Sequence, residues 1–285
     1  MTTDHASTAS EGASPATREP PPWGAFAPNA VERLVINATQ TAPAQGPRRS
    51  FASAMRAVMT AARPAAIDAE VYGFKARLRP RLNLADKRAL FYPRFWDARE
   101  RAFLESVITP GFRFVDIGAN SGLYSLFVAA RAGADAIIVA VEPQPEVRQW
   151  LAFNVAANGF SNIRIVDKAV AAGPGTAHLD LSRRNKGAAS ISTGAAGGIE
   201  VETCSILALM DAHGIEAADA LKIDIEGAED QALPPFFEAC PPERLPHHIL
   251  METLSPNWSV DCVDLAHKAG YVEAARSRMN VVLSR

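Results

Sequence analysis

The chain has 285 residues, of which 48% are hydrophobic and 21% charged, enough for one core of roughly 200 to 250 residues with a small appendage. Its 29 basic residues nearly balance its 31 acidic ones, so net charge favours neither nucleic acid nor an anionic membrane as a partner. No apolar run approaches the roughly 18 residues of a membrane span and no secretory signal is visible, so we expect a cytoplasmic protein.

The first part of the chain is predicted to lie outside the main domain. Residues 1–24 are rich in Ser, Thr, Ala and Pro, which predicts a disordered tail. Residues 25–110 are predicted to form an N-terminal extension of two helices, a β-hairpin around Gly73 and a further helical stretch interrupted near Pro93. We expect this extension to pack against the domain that follows, with FYPRFWDARE where a lid would lie.

Residues 111–285 alternate between strand-like and helix-like segments. The strand-like segments are FRFVDIG, AIIVAVEP, NIRIVDKAV, ALKIDIEG, HHILMETL, YVEAA and MNVVLSR. This alternation predicts an α/β fold with a doubly wound, mostly parallel, seven-stranded sheet and helices on both faces. The low-complexity segment at 185–198 is predicted to be a mobile loop.

Carboxylates follow five of these strands. They are Asp116, Glu142, Asp167, the pair Asp224 and Glu226, and Glu252. A buried parallel strand is normally a continuous apolar run, and ligands of open α/β sheets bind at the carboxyl ends of the strands. An acidic rim there would repel the phosphates of a dinucleotide, but it suits a cationic ligand rich in hydroxyl and amino groups. S-adenosylmethionine is such a ligand.

The turn after the first strand, VDIGANSG, supports this interpretation. Gly118 and Gly122 leave no side chain where the backbone turns and where a cofactor would approach, and Asn120 supplies an amide. Glu142, 24 positions after Gly118, can accept hydrogen bonds from both ribose hydroxyls. A nicotinamide or flavin dinucleotide site requires glycine at the third and sixth positions of GANSGL, where this chain has Asn120 and Leu123.

Three segments resemble, in order and spacing, the FkbM-type S-adenosylmethionine-dependent methyltransferases: FVDIGANSGLYS, VAVEPQPEVRQWLAFNVAANG and LKIDIEGAED. The resemblance covers about residues 112–254 and implies a class I methyltransferase, Rossmann-like fold. It implies O-methylation of a hydroxyl on a sugar or polyketide-like molecule. It also implies a set of cofactor contacts: Asp116, Gly118, Asn120 and Gly122 near the methionine end, Glu142 and Pro143 at the ribose, and Asp167 at the adenine.

The segment LKIDIEG is the predicted source of a catalytic base. Strand alternation would place Lys222, Asp224 and Glu226 on one side, although a solvated amphipathic strand would look the same. We predict that Asp224 orients or deprotonates the acceptor hydroxyl and that Glu226 assists, with Glu252 joining from the next strand. Three carboxylates could hold a divalent cation, but no further ligand is visible and no metal site is assigned.

The expected function is therefore an S-adenosylmethionine-dependent O-methyltransferase acting on a hydroxyl of a sugar, a glycan or a secondary metabolite. Methylation of an amine or a carboxylate on the same fold is one alternative, and a catalytically silent binding subunit is another. The expected partner is a small-molecule or glycan acceptor and not a nucleic acid. The sequence does not predict an oligomeric state.

Overall fold

The structure is a computed structural model of the 285-residue chain. It describes residues 19–43, 45–62, 66–180, 190–192, 198–253 and 258–285. The predicted tail therefore lies outside the described residues as far as position 18. In the described ranges, no helix combines the length and apolar character that crossing a membrane would require.

The predicted extension of helices and a hairpin precedes the main sheet. Its elements are α1 Ala30–Thr41, α2 Pro47–Ala62, β1 Ile67–Val71, β2 Phe74–Leu78, α3 Leu84–Phe91 and α4 Ala98–Val107. A capping box starts α1, because the side chain of Asn29 accepts from the backbone N–H of Glu32 and the Glu32 carboxylate accepts from that of Asn29.

The hairpin is held by polar contacts on both sides. The buried Arg77 forms an ion pair with Asp68 at 2.7 Å and donates to the carbonyl oxygens of Pro21 and Pro22. The end of the predicted tail thus contacts the hairpin. On the other side, the side chain of Asn154 accepts from the backbone N–H of Arg77 at 2.7 Å. These bonds attach the extension to the main domain.

Strands and helices alternate after residue 111. The elements are β3 Arg113–Ile117, α5 Leu123–Ala132, β4 Ile137–Val141, α6 Pro145–Asn158, β5 Ile163–Val166, β6 Ala169–Val170, β7 Gly175–Asp180, β8 Ser190–Ser192, β9 Ile199–Cys204, α7 Ile206–Ala212, β10 Ala220–Ile223, α8 Glu229–Ala239, β11 His248–Glu252, α9 Cys262–Lys268, β12 Val272–Arg276 and β13 Asn280–Ser284.

Seven of these strands form the main sheet, in the order β12-β13-β11-β10-β3-β4-β5. Counted along the chain and read from the β5 edge, this order is 3-2-1-4-5-7-6, and only β13 runs antiparallel to its neighbours. This is the topology of the class I methyltransferase fold. The predicted seven-stranded, mostly parallel sheet is confirmed.

A second, four-stranded sheet, β6-β9-β7-β8, changes two of the sequence-based expectations. The predicted third strand, NIRIVDKAV, is divided, because β5 belongs to the main sheet while β6 pairs with β9. The predicted loop at 185–198 contains β8, and its residues 185–189 and 193–197 lie outside the described part of the chain.

The main sheet is buried on both faces. Adjacent residues of β3 enter different apolar clusters: Phe114 packs in the cluster that includes the hairpin and α5, whereas Val115 and Ile117 pack in the cluster that includes α7 and α8. All three side chains are fully buried. A polar side chain at the end of such a strand can reach solvent only at the carboxyl edge, where β3, β4, β10 and β11 end together.

Candidate active site

A cleft that is open to solvent lies at the carboxyl edge of the main sheet. The ends of β3, β4, β10 and β11 form its floor, and the extension and the C-terminal hairpin form its walls. Seven of the ten predicted site residues line it: Gly118, Asn120, Glu142, Pro143, Asp224, Glu226 and Glu252. Three do not: Asp116, Gly122 and Asp167.

Glu142 is a buried carboxylate in the cleft wall, 7% exposed. Its Oε2 accepts from the backbone N–H of Asn120 and its Oε1 from that of Gln144, both at 2.9 Å. Burial raises the pKa of Glu142 to about 7, which these two bonds only partly oppose. Each carboxylate oxygen can accept more than one hydrogen bond, so Glu142 keeps acceptor capacity in a fixed orientation.

Both positions of the turn need glycine, because neighbouring protein atoms occupy the space that a Cβ would fill. Gly118 has φ +74°, and a Cβ there would overlap the backbone carbonyl oxygen of Asp224. Gly122 has φ +90°, and a Cβ there would overlap the side chain of Leu151 on α6. The prediction that these glycines turn the backbone is confirmed. Their missing side chains make room for the ends of neighbouring elements.

Asp116 lies behind the turn and is fully buried. Its Oδ2 accepts from the hydroxyl of Ser125 at 2.6 Å and from the backbone N–H of Ser125 at 3.1 Å. Its Oδ1 lies 3.6 Å from the ammonium of Lys222. Asp116 therefore fixes the start of α5 and the Lys222 side chain from beneath the cleft floor.

Lys222 connects this buried carboxylate to the cleft. Its Nζ lies 3.5 Å from Asp224 Oδ2 and 3.3 Å from the carbonyl oxygen of Gly118. Burial alone would lower the pKa of Lys222, but the nearby carboxylates of Asp224 and Asp116 outweigh it and raise the pKa. The ammonium is therefore retained at neutral pH.

The carboxylates after β10 and β11 meet in the cleft. Asp224 and Glu252 share a side-chain hydrogen bond, and burial, Asp224 and Glu226 raise the pKa of Glu252 to about 8. Glu226 lines the cleft from a turn with φ +55°. Because β10 ends at Ile223, strand alternation does not extend to Glu226, so the prediction of one shared strand face is wrong for this residue.

Asp167 is exposed and lies outside the cleft lining. The chain leaves the main sheet after Val166 and enters the second sheet at Ala169, and this change of direction turns Asp167 away. The neighbouring residues Lys168, Ala169 and Val170 line the cleft in its place.

The extension supplies site residues that the sequence analysis missed. Asn83 donates from Nδ2 to the side-chain oxygen of Asn120, and the hydroxyl of Ser121 donates to the fully buried Asp86. Burial raises the pKa of Asp86 to about 6. Local sequence shows only that Asn83 can cap α3 with Asp86 in its first turn; the partners 37 and 35 residues away have no sequence signal.

Two further residues of the extension stand in the cleft wall. Asp97, with φ +40°, accepts from the hydroxyl of Tyr124 at 3.0 Å, and burial and Glu100 raise its pKa. Trp96 stacks on Tyr72 with ring centroids 5.4 Å apart.

In the described ranges, no group of three or more His, Cys, Asp and Glu side chains is arranged to hold a metal ion.

Comparison with known proteins identifies the domain that carries this cleft. Residues 116–245 match the family model for the methyltransferase FkbM domain. This segment is similar to the FkbM methyltransferase domain, and the protein is a methyltransferase. The matched segment of the methyltransferase begins at Asp116 and includes the turn after β3, Glu142, and the catalytic candidates Asp224 and Glu226.

Three solved structures are similar to this methyltransferase at low identity. A putative rRNA methylase from Clostridium thermocellum is 9% identical with a TM-score of 0.42, covering 66% of this chain and 93% of that one. A putative methyltransferase from Streptococcus mutans, in complex with SAH, is 10% identical with a TM-score of 0.42, covering 66% and 96%. An S-adenosylmethionine-dependent O-methyltransferase from Thermotoga maritima is 12% identical with a TM-score of 0.39, covering 66% and 64%. Comparison with curated proteins gives no match.

The cofactor of this methyltransferase is S-adenosylmethionine, and the cleft fits this group. Glu142 offers an oriented carboxylate to hydroxyl donors, and Asp97 and Asp224 give the cleft the negative character that a sulfonium and an ammonium require. Among the described residues, Asp224 pairs with Lys222, whereas Asp97 forms no ion pair within 4.0 Å.

Proposed function

We propose that this methyltransferase transfers a methyl group to a hydroxyl of a sugar, a glycan or a secondary metabolite. The observation that carries the proposal is the hydrogen-bonded pair of Asp224 and Glu252 in the cleft floor. The pair lies beside Gly118, at the end of the cleft opposite to the position of Glu142 on β4. A carboxylate at this place can receive a proton from an acceptor hydroxyl.

In this proposal, the turn after β3 and the end of β4 hold the cofactor. Glu142 accepts from the ribose hydroxyls, Pro143 packs beside it, and Gly118 and Asn120 lie near the methionine end. Asp116 and Gly122 act on the cofactor indirectly, by fixing α5 and the turn. Asp167 is not part of the cleft lining and is assigned no role. When bound, S-adenosylmethionine supplies an electrophilic methyl group carried on a positively charged sulfur.

Asp224 is the proposed proton acceptor. Lys222 holds one of its oxygens from the buried side, and Glu252, protonated at neutral pH, donates a hydrogen bond to it. The Asp224 carboxylate would take the proton of the acceptor hydroxyl as the acceptor oxygen takes the methyl group that S-adenosylmethionine would supply. Base assistance of this kind contributes roughly 100- to 10,000-fold in rate, and alignment contributes roughly 7 to 11 kcal/mol.

Glu226 and Glu252 are assigned supporting roles. Glu226 raises the pKa of Glu252 through its charge, which keeps the proton on Glu252 and leaves Asp224 to accept. Trp96 and residues of α3 line the cleft, and in this proposal they shield the reacting atoms from water once the cofactor and the acceptor fill it.

The experiment is methyl transfer from S-adenosylmethionine labelled in its methyl group to fractionated extracts of the source organism. The chemistry of the labelled product names the acceptor atom, because an O-methyl ether resists mild base, a methyl ester releases methanol, and an N-methyl amine binds protons. An ether supports the proposal. An ester or an amine contradicts it in favour of the alternative acceptors, and binding of S-adenosylhomocysteine without any transfer supports a silent subunit.

A further inference from the structure

Arg88 is a cationic side chain in the wall of the cleft. It lies on α3, one turn after Leu84 and Ala85, which line the same wall. Its Nη1 donates to the sulfur of Met279 at 3.6 Å, and a thioether sulfur is a weak acceptor. Among the residues that the structure describes, no carboxylate oxygen lies within 4.0 Å of its guanidinium.

Several carboxylates line the same cleft as Arg88. Asp97, Asp224 and Glu252 line it, yet none of them pairs with Arg88. The other two cations at the cleft each have a carboxylate partner: Lys168 lies 3.0 Å from Glu202, and Lys222 lies between Asp116 and Asp224. Within the described chain, the charge of Arg88 is thus the one at the cleft that no nearby carboxylate compensates.

The contact with Met279 places Arg88 on the acceptor side. Asn280, the next residue, begins β13 and is the register partner of Glu252, which shares a hydrogen bond with the proposed proton acceptor. The cofactor turn is contacted instead by Asn83, five residues before Arg88. Five residues correspond to about 7.5 Å along a helix axis, so Asn83 at the start of α3 and Arg88 in its middle lie at different parts of the cleft.

We propose that Arg88 binds an anionic group of the acceptor, a carboxylate or a phosphate, and so makes this enzyme selective for acidic sugars or similarly charged molecules. This inference rests on the proposed function. A guanidinium forms paired hydrogen bonds with either group, and it discriminates strongly against neutral acceptors when no protein carboxylate competes for it. The anionic group would then be held at Arg88 while the hydroxyl lies at Asp224.

The test uses labelled methyl transfer to two extract fractions, one neutral and one retained by an anion exchanger, alongside calorimetry with S-adenosylhomocysteine. We expect label in the anionic fraction. Arg88→Gln should raise KM for the labelled acceptor by about 10- to 100-fold with kcat within about threefold and S-adenosylhomocysteine affinity within about twofold. Arg88→Lys should give an intermediate KM. Treating the anionic fraction with phosphatase distinguishes the two anions, since only a phosphate-bearing acceptor is lost.

Arg94→Gln is the matched control, because Arg94 is exposed, lies on the same segment and is not part of the cleft lining. It should behave as the wild type. Label confined to the neutral fraction, or an unchanged KM in Arg88→Gln, overturns the inference. So does a large loss of S-adenosylhomocysteine affinity in Arg88→Gln, which would assign Arg88 to the cofactor. Absence of label in both fractions contradicts the proposed function, and the inference with it.

Discussion

Gly118 lies so close to Asp224 that a β-carbon at position 118 would overlap the backbone carbonyl oxygen of Asp224. The two residues belong to neighbouring strand ends, because β3 and β10 pair in parallel with Ile117 opposite Ile223. The turn proposed to hold the cofactor and the residue proposed to accept the proton are therefore positioned against each other. A change at one must move the other.

Gly118→Ala should weaken both stability and cofactor binding. Gly159→Ala is the control, since Gly159 also has a positive φ, +68°, in the left-handed region, but nothing lies within 4 Å of its missing Cβ. The control should lose about 1–2 kcal/mol of unfolding free energy from backbone strain. Gly118→Ala should lose about 1–3 kcal/mol more from overlap and should bind S-adenosylhomocysteine at least about tenfold more weakly. Urea unfolding and calorimetry measure both, and equal losses for the two variants would argue against the close approach.

At pH 8.5, above the Glu142 pKa of about 7, Glu142→Gln should reduce affinity for S-adenosylhomocysteine by about 10- to 100-fold, because a charged acceptor for the ribose hydroxyls is replaced by a neutral one. Asp167→Asn should change the affinity by less than about twofold, because Asp167 is exposed outside the cleft. Calorimetry on both variants separates the assignments. If Asp167→Asn were the weaker binder, the structural placement of the two acids would be contradicted.

Lys222→Met should destabilise the protein by about 3–5 kcal/mol at pH 8, because the buried carboxylate of Asp116 loses its cation. Burial raises the pKa of Asp116, and loss of Lys222 removes the charge that opposes this effect. Stability tied to a raised carboxyl pKa is present at low pH and is lost as pH rises through that pKa. The deficit should therefore be smaller at pH 5.

Urea unfolding of Lys222→Met at pH 5 and pH 8 measures this difference. Lys268→Met is the control, since Lys268 is exposed and pairs only with Asp264 on the same helix, and it should change stability far less. A deficit that is the same at both pH values would show that Asp116 does not carry the effect.

Glu252 should make stability depend on pH. Its pKa is raised to about 8 by burial, Asp224 and Glu226, so the stability that it contributes is present at low pH and is lost as pH rises toward 8. Between pH 5.5 and pH 8.5, Glu252→Gln should lose about 1–2 kcal/mol less unfolding free energy than the wild type, allowing for the partial exposure of the side chain. Glu238→Gln, at an exposed position on α8, should follow the wild type. Parallel pH profiles for all three proteins would count against the Asp224–Glu252 pair.

The sequence predicts the strands of the main sheet well because a buried parallel strand must be an apolar run. Val115 and Ile117 are such residues, and the acids that follow the runs of β4, β10 and β11 do line the cleft. The turn glycines were also predictable, since a positive φ at Gly118 needs a residue without a Cβ. The sequence does not predict that the backbone of Asp224 packs against Gly118, because Asp224 is more than a hundred residues away along the chain.

The features that the sequence does not predict depend on contacts between elements that are distant along the chain. The sequence around Asp116 does not show that Lys222 lies beside it. The sequence therefore predicts a cofactor contact for Asp116, whereas the side chain is buried beside Lys222. Asp167 leaves the cleft because β6 pairs with β9, a strand about thirty residues further along. The contribution of α3 depends on side-chain bonds from Asn83 and Asp86 to the turn, which helix capping alone does not indicate.

Methyl transfer by Asp224→Asn tests the central claim most directly. Asparagine keeps the size of the side chain but cannot accept a proton from the acceptor hydroxyl. With the acceptor found by labelling, kcat should fall by about 100-fold or more while affinity for S-adenosylhomocysteine stays within about threefold of the wild type. Retained turnover at unchanged cofactor affinity would contradict the assignment of Asp224 as the proton acceptor.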